Sequence, residues 1–149
     1  MGHGFKHFTD IRAWRAAVTF KRAVYDACRR GRFPYDLRDQ LERAASAPPA
    51  HIAEGFGRFG PPDFARFVVM ARASLMESQN HLIDLRDRGQ ISEVALKQLD
   101  GLAVAALREA TGLIKYLQSP EALGNAKQAR RITRTRNPEH EPGSRNPEQ

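Results

Sequence analysis

Pro48-Pro49-Ala50-His51-Ile52-Ala53-Glu54-Gly55-Phe56-Gly57-Arg58 decides the fold, because it sets two prolines inside a helical apolar pattern and ends on a glycine pair. Leu37, Leu41, Ala44 and Ala45 before the prolines, and Ile52 and Ala53 after them, keep three- and four-residue spacing. One amphipathic stripe therefore runs straight through the prolines. A proline lacks the backbone N–H and presses on the carbonyl four residues back, at ~3 kcal/mol or more in a helix interior. The spacing predicts a helix that is kinked at Pro48-Pro49 without ending there, and that tertiary packing holds together.

On its N-terminal side, Ile11, Trp14, Ala17, Val18, Val24, Tyr25 and Cys28 recur at helical spacing, and Gly31 follows Arg29 and Arg30 as a left-handed stop. The Phe33-Pro34-Tyr35-Asp36 turn leads into helix two over about residues 36–56, which the glycines of residues 57–60 break. Pro61-Pro62 open helix three where missing N–H groups cost little, and Asp63 suits the helix dipole. Phe64, Phe67, Val68, Ala71, Leu75, Leu82 and Leu85 share one side of it, and Gly89 closes it. Ser92 caps helix four, where Leu99, Leu102, Ala106, Leu113 and Leu117 join Ala103, Ala110 and Ile114 in a broad apolar face.

Connections of a few residues force consecutive helices to lie antiparallel, so the expected fold is all-α, an up-down-up-down four-helix bundle. Residues 1–8 form an N-terminal lead, residues 9–118 the bundle, and residues 119–149 a flexible, basic, proline-containing tail. Apolar residues nearly vanish beyond Ile132, and Arg136-Asn137-Pro138-Glu139 returns as Arg145-Asn146-Pro147-Glu148, so disorder is expected from about residue 125 onward. Phe20, Val69, Met70 and Met76 fall off the main seams and are expected to face another subunit.

The 149 residues suffice for one domain with a buried core. Apolar runs stay far short of the ~18 residues that span a bilayer, and Met1-Gly2-His3-Gly4 leads into mixed sequence with no secretory core, which predicts no membrane association and a cytoplasmic location. The single cysteine, Cys28, excludes an internal disulfide framework and reads as a packed thiol. A net charge of +7 and a pI near 10.2 favour a polyanionic partner, most commonly nucleic acid.

The proline run resembles the Pro-Ala-Asn-Ile-Ala-Glu-Gly signature of the small bundle proteins encoded in intervening sequences of large-subunit ribosomal RNA genes, also called S23 ribosomal proteins. Phe8-Thr9-Asp10-Ile11-Arg12-Ala13-Trp14, Gln40-Leu41-Glu42-Arg43-Ala44-Ala45, Asp63-Phe64-Ala65-Arg66-Phe67, Ala73-Ser74-Leu75-Met76-Glu77 and Asp87-Arg88-Gly89-Gln90-Ile91-Ser92 follow in the family's order, over about residues 5–118. His51 replaces the usual asparagine, Pro48 is an added proline, and Gly60 stands where a serine cap is frequent. The resemblance implies a homopentamer of bundles. It also implies kinship with the accessory variability determinant proteins of diversity-generating retroelements, where a basic barrel engages RNA and a reverse transcriptase. Trp14, Arg43, Pro49, Glu54, Gly55, Ser74 and Glu77 are its structural motif residues here.

Arg15, Arg22 and Arg29 lie seven residues apart with Arg12 near them, a basic stripe offset from the core seam of helix one. Such a stripe can track phosphates; it is equally a solvated face, with Asp26 in reach of Arg22 and Arg29. Arg58 follows helix two in a glycine-rich turn suited to a phosphate, or pairs with Glu54 one turn earlier. Arg130, Arg131 and Arg134 belong to a basic arm over residues 127–136. His51 with Glu54, and Glu77 with His81, put a histidine and a carboxylate one turn apart, but not in the Glu-x-x-His order of bundle di-metal sites. A buried polar network of Glu54, Glu77, Ser74 and Arg43 is expected instead, with no metal, cofactor or catalytic residue. These features point to a non-enzymatic, self-associating bundle that binds RNA or DNA non-specifically through arginines. The alternative is a scaffold that binds an acidic protein.

Overall fold

The computed structural model describes residues 4–58 and 60–136, and every regular element among them is helical. A 3₁₀ turn, Phe8–Asp10, precedes α1 (Arg12–Arg30), α2 (Tyr35–Phe56), α3 (Pro61–Asp87), α4 (Glu93–Leu117) and α5 (Pro120–Arg136). Helices α1, α2, α3 and α4 pack in a ring in chain order, with α4 closing on α1 and no close contact between diagonal pairs. Short links at residues 31–34, 57–60 and 88–92 make each neighbour antiparallel to the last, the expected up-down-up-down bundle.

Local chemistry sets the boundaries. The Ser92 Oγ accepts from the Ala95 N–H at 3.1 Å and starts α4. At the end of α3, Gly89 takes φ +70°. The Gln90 N–H then donates to the Leu85 carbonyl at 2.8 Å and the Gly89 N–H to Arg86 at 2.9 Å, a Schellman stop. Gly31 ends α1 differently from the left-handed stop expected: its backbone is extended, with φ −81° and ψ 156°.

Helix α2 continues through Pro48 and Pro49, both buried. Just beyond them Gly55 lets α3 approach: a Cβ built there would lie 2.7 Å from both Phe64 Cδ2 and Phe67 Cβ. The core has two ends. One gathers Phe20, Val24, Cys28, Leu41, Leu75, Leu82, Leu85 and Leu99; the other gathers Ile11, Ala17, Ile52, Phe64, Val68, Ala71, Ala110 and Leu113.

Two seam expectations change. Phe20, expected to face another subunit, is fully buried, and Tyr25, placed on the seam, is exposed with the Lys21 ammonium 5.9 Å from its ring. The buried residues of α1 are Ala13, Ala17, Val18, Phe20, Val24 and Cys28; Ala13, Ala17, Phe20, Val24 and Cys28 keep three- and four-residue steps, and Tyr25 turns outward.

The stretch expected to be flexible begins with a helix. The Ser119 Oγ accepts from the Ala122 N–H at 3.3 Å, Pro120 takes the first position and Glu121 the first turn. Ala122 is buried against the end of the bundle. Disorder is expected from about residue 125, but residues 125–136 continue α5; the rest of that expectation, on residues 137–149, lies outside the described residues.

Candidate nucleic-acid interface

The arginines of α1 are all exposed, but their commitments differ. Arg12 reaches across to α4, its Nη2 donating to Glu109 Oε1 at 2.9 Å. The Arg15 Nε donates to the Thr9 carbonyl at 2.7 Å and ties α1 to the turn before it. Asp26 accepts from Arg29 at 2.6 Å and pairs with Arg30 at 3.1 Å. Asp26 therefore serves Arg29 and Arg30, and Arg22 stands on the outer ridge with no ion-pair partner among the described residues.

Arg58 adopts the pairing that the sequence left open. Its Nη2 donates to Glu54 Oε1 at 2.7 Å and its guanidinium stacks 4.7 Å from the Phe67 ring centroid. Arg131 is exposed on α5, and Arg130 and Arg134 lie on the same helix, with side chains outside the described set.

The buried polar network does not form. Side chains of Glu54, Glu77 and Arg43 are 53%, 60% and 79% exposed, and they pair with Arg58, His81 and Asp39 respectively. The physical reason is register: on α2, Leu41, Ala44, Ala45, Pro48, Ile52 and Gly55 already fill the inward stripe, so Arg43 and Glu54 turn outward. Ser74 stays partly buried and contributes its carbonyl, which accepts from the Ser78 hydroxyl at 2.8 Å. Trp14 is half-buried, edge-on to Phe8 with centroids 5.4 Å apart. Pro49 and Gly55 are buried on the inward side of α2.

Sequence reasoning passed over α4. Lys97, Arg108 and Lys115 are exposed there without an acidic partner among the described residues, and Arg32 is likewise unpaired beyond α1. Their separations of eleven and seven residues are whole numbers of helical turns, a signal present in the sequence. Burial pushes the Cys28 thiol up to about 11, with the Glu42 carboxylate adding to the effect, which fits a packed and unreactive side chain. Among the described residues, no group of three or more His, Cys, Asp or Glu side chains is arranged to hold a metal ion, and no helix is long and apolar enough to cross a membrane.

The profile of the 23S rRNA-intervening sequence protein matches residues 9–112, from the 3₁₀ turn into the last third of α4. The chain belongs to that family. The intervening-sequence match spans α1, α2, α3 and most of α4, and the basic fifth helix lies outside the matched residues. No curated protein matches the chain.

Proposed function

We propose that this intervening-sequence family protein is a non-enzymatic, cytoplasmic, self-associating bundle that binds RNA or DNA through phosphate contacts. The observation that supports this most directly is the charge left over after pairing. Acids on the bundle are largely engaged, as at Glu109, Asp26, Asp39, Glu54, Asp84, Asp87 and Glu93. Arg22, Arg32, Lys97, Arg108 and Lys115 remain exposed without acidic partners among the described residues, within a chain of net charge +7. Unpaired cations gain most from phosphates, because no intramolecular ion pair has to be broken first. Arg22, flanked on its ridge by Arg15 and Arg29, is the centre of the contact on α1, and α5 is a second basic element. Arginines on a helix face reach phosphates before base edges, so binding is weakly selective for sequence. By resemblance the assembly is a pentamer and its partner a nucleoprotein such as a reverse transcriptase.

A salt titration against single- and double-stranded RNA and DNA tests this. The slope of log affinity on log salt flattens by ~0.7–0.9 for each phosphate interaction removed. Converting Arg15, Arg22 and Arg29 to glutamine should flatten it, and truncation after Gly124 should flatten it independently. If the intact protein retains no nucleic acid at about 50 mM salt, where phosphate contacts are strong, the reading fails and the acidic-protein scaffold replaces it.

A further inference from the structure

The outer ridge of α3 carries large apolar side chains that nothing within the chain covers. Val69, Met76 and Ile83 are 49%, 44% and 44% exposed, and they recur every seven residues with Ala73 and Asn80 between them, also exposed. That alternation of three- and four-residue steps is the seam spacing of a helix that packs against another helix. It differs from the single scattered hydrophobes that any surface shows.

A shallow counter-surface lies on another side of the same chain. On α4, Gly101, Ala105 and Gly112 share the exposed face, and a methyl group added at either glycine would meet nothing within 4 Å. Across from them, Arg12 joins Glu109 at 2.9 Å, and Ala16, Thr19 and Ala23 continue that edge of α1 at helical spacing. At one end of this groove a cavity of about 160 Å³ opens among Phe5, Arg12, Glu109, Gly112 and Tyr116.

Contacts within the chain fix heights along the bundle. Arg72 reaches Thr111 at 3.2 Å, Gln79 reaches Asp100 at 2.8 Å and Arg86 reaches Glu93 at 2.9 Å. Met76 is therefore level with Ala105, Val69 with the turn at Gly112, and Ile83 with Lys97. A rotation axis along the bundle keeps all copies at one height, so these level positions meet between copies. Large side chains then oppose small ones: Val69 faces the cavity at Gly112 and Met76 faces Ala105. Charges agree as well, since Asp84, which also holds Arg88, comes level with Lys97, and Glu77 falls within about one turn of Arg108; in such an assembly these two α4 cations face the neighbouring copy, and Arg22, Arg32 and Lys115 are the ones left for phosphates.

We infer that the α3 ridge of one copy seats in the α1/α4 groove of the next copy. The inference rests on the self-association proposed above and assigns its two faces. Because ridge and groove are different surfaces, the contact is heterologous and continues beyond a dimer, closing into a ring where the rotation between copies allows it.

Mixing blocked variants tests the assignment. Met76→Glu blocks the ridge and Ala105→Glu blocks the groove, both at exposed positions, with Gly112→Glu as a second groove variant should Ala105→Glu lose its helical circular dichroism. In sedimentation velocity at tens of micromolar, wild type should exceed dimer mass and each variant alone should run as one protomer. An equimolar mixture should form a two-protomer species, because one ridge and one groove remain intact. The assignment is overturned by groove variants that assemble like wild type, by a mixture that stays monomeric, or by a wild type that stops at the dimer. A monomeric wild type overturns self-association itself.

Discussion

Between α2 and α3 the packing closes tightly around a glycine, whereas on the α1/α4 side it leaves two glycines facing open space. At Gly55 an added Cβ would sit 2.7 Å from side-chain carbons of α3. Nothing lies within 4 Å of the same position at Gly101 or Gly112. A glycine in mid-helix costs ~0.5–1 kcal/mol relative to alanine. The close approach of α3 offsets that cost at Gly55, and no contact within one chain offsets it on α4. The same residue type thus marks an interior contact in one region and a surface suited to an external contact in the other.

The largest effect expected from this contrast is at Gly55→Ala. The methyl group must push Phe64 and Phe67 away, and overpacking of this kind costs ~1–3 kcal/mol. Denaturant unfolding measures it, and an unchanged midpoint would mean that α3 is free to retreat and that the two regions do not differ. Gly101→Ala should move the other way, stabilising the chain by ~0.5–1 kcal/mol when it is dilute enough to be monomeric. A loss of stability there would reveal a close neighbour inside the chain. Smallest is Glu54→Ala, adjacent in sequence to Gly55 yet turned to solvent, where losing the exposed pair with Arg58 should cost ~0.2–0.5 kcal/mol. A cost well above 1 kcal/mol would restore a buried role for Glu54 and blur the boundary between motif residues that pack and those that do not.

Helix boundaries were legible in the sequence because each has its own local chemistry. Ser92 can cap, Gly89 can take a positive φ and Pro61 can open a helix without losing a bond, and none of these depends on a distant partner. Rotation about a helix axis was less legible. Of the seam read on α1, Ile11, Ala17, Val18, Val24 and Cys28 are buried, whereas Tyr25 turns outward and Phe20, read as off the seam, is buried three residues after Ala17 and four before Val24. The same ambiguity points Glu54 and Arg43 inward when spacing alone is read. Helix α5 is hard to see because its apolar content is low, although its start signal, Ser119-Pro120-Glu121, stands in the sequence. Among candidate site residues, exposure of the α1 arginines was predictable from their offset. Which of them keeps its charge unpaired was not, since Asp26 pairs with Arg29 and Arg30 rather than Arg22 through the geometry of one helical turn.

The two prolines of α2 have a consequence for how the bundle opens. Pro48 and Pro49 supply no amide hydrogens, so the carbonyls of Ala44 and Ala45 have no intrahelical donor and the ladder is interrupted in the middle of α2. The remainder of the helix, residues 50–56, is about two turns long, and isolated helices shorter than ~12–15 residues are marginal in water. Docking holds that segment in place, with Ile52 buried and Gly55 pressed on Phe64 and Phe67. The end of α2 and the beginning of α3 are therefore expected to open together in native-state hydrogen exchange, with the first half of α2 exchanging separately, and uniform exchange along α2 would overturn this. The proline pair would then act as a folding hinge that divides one helix between two units of the bundle.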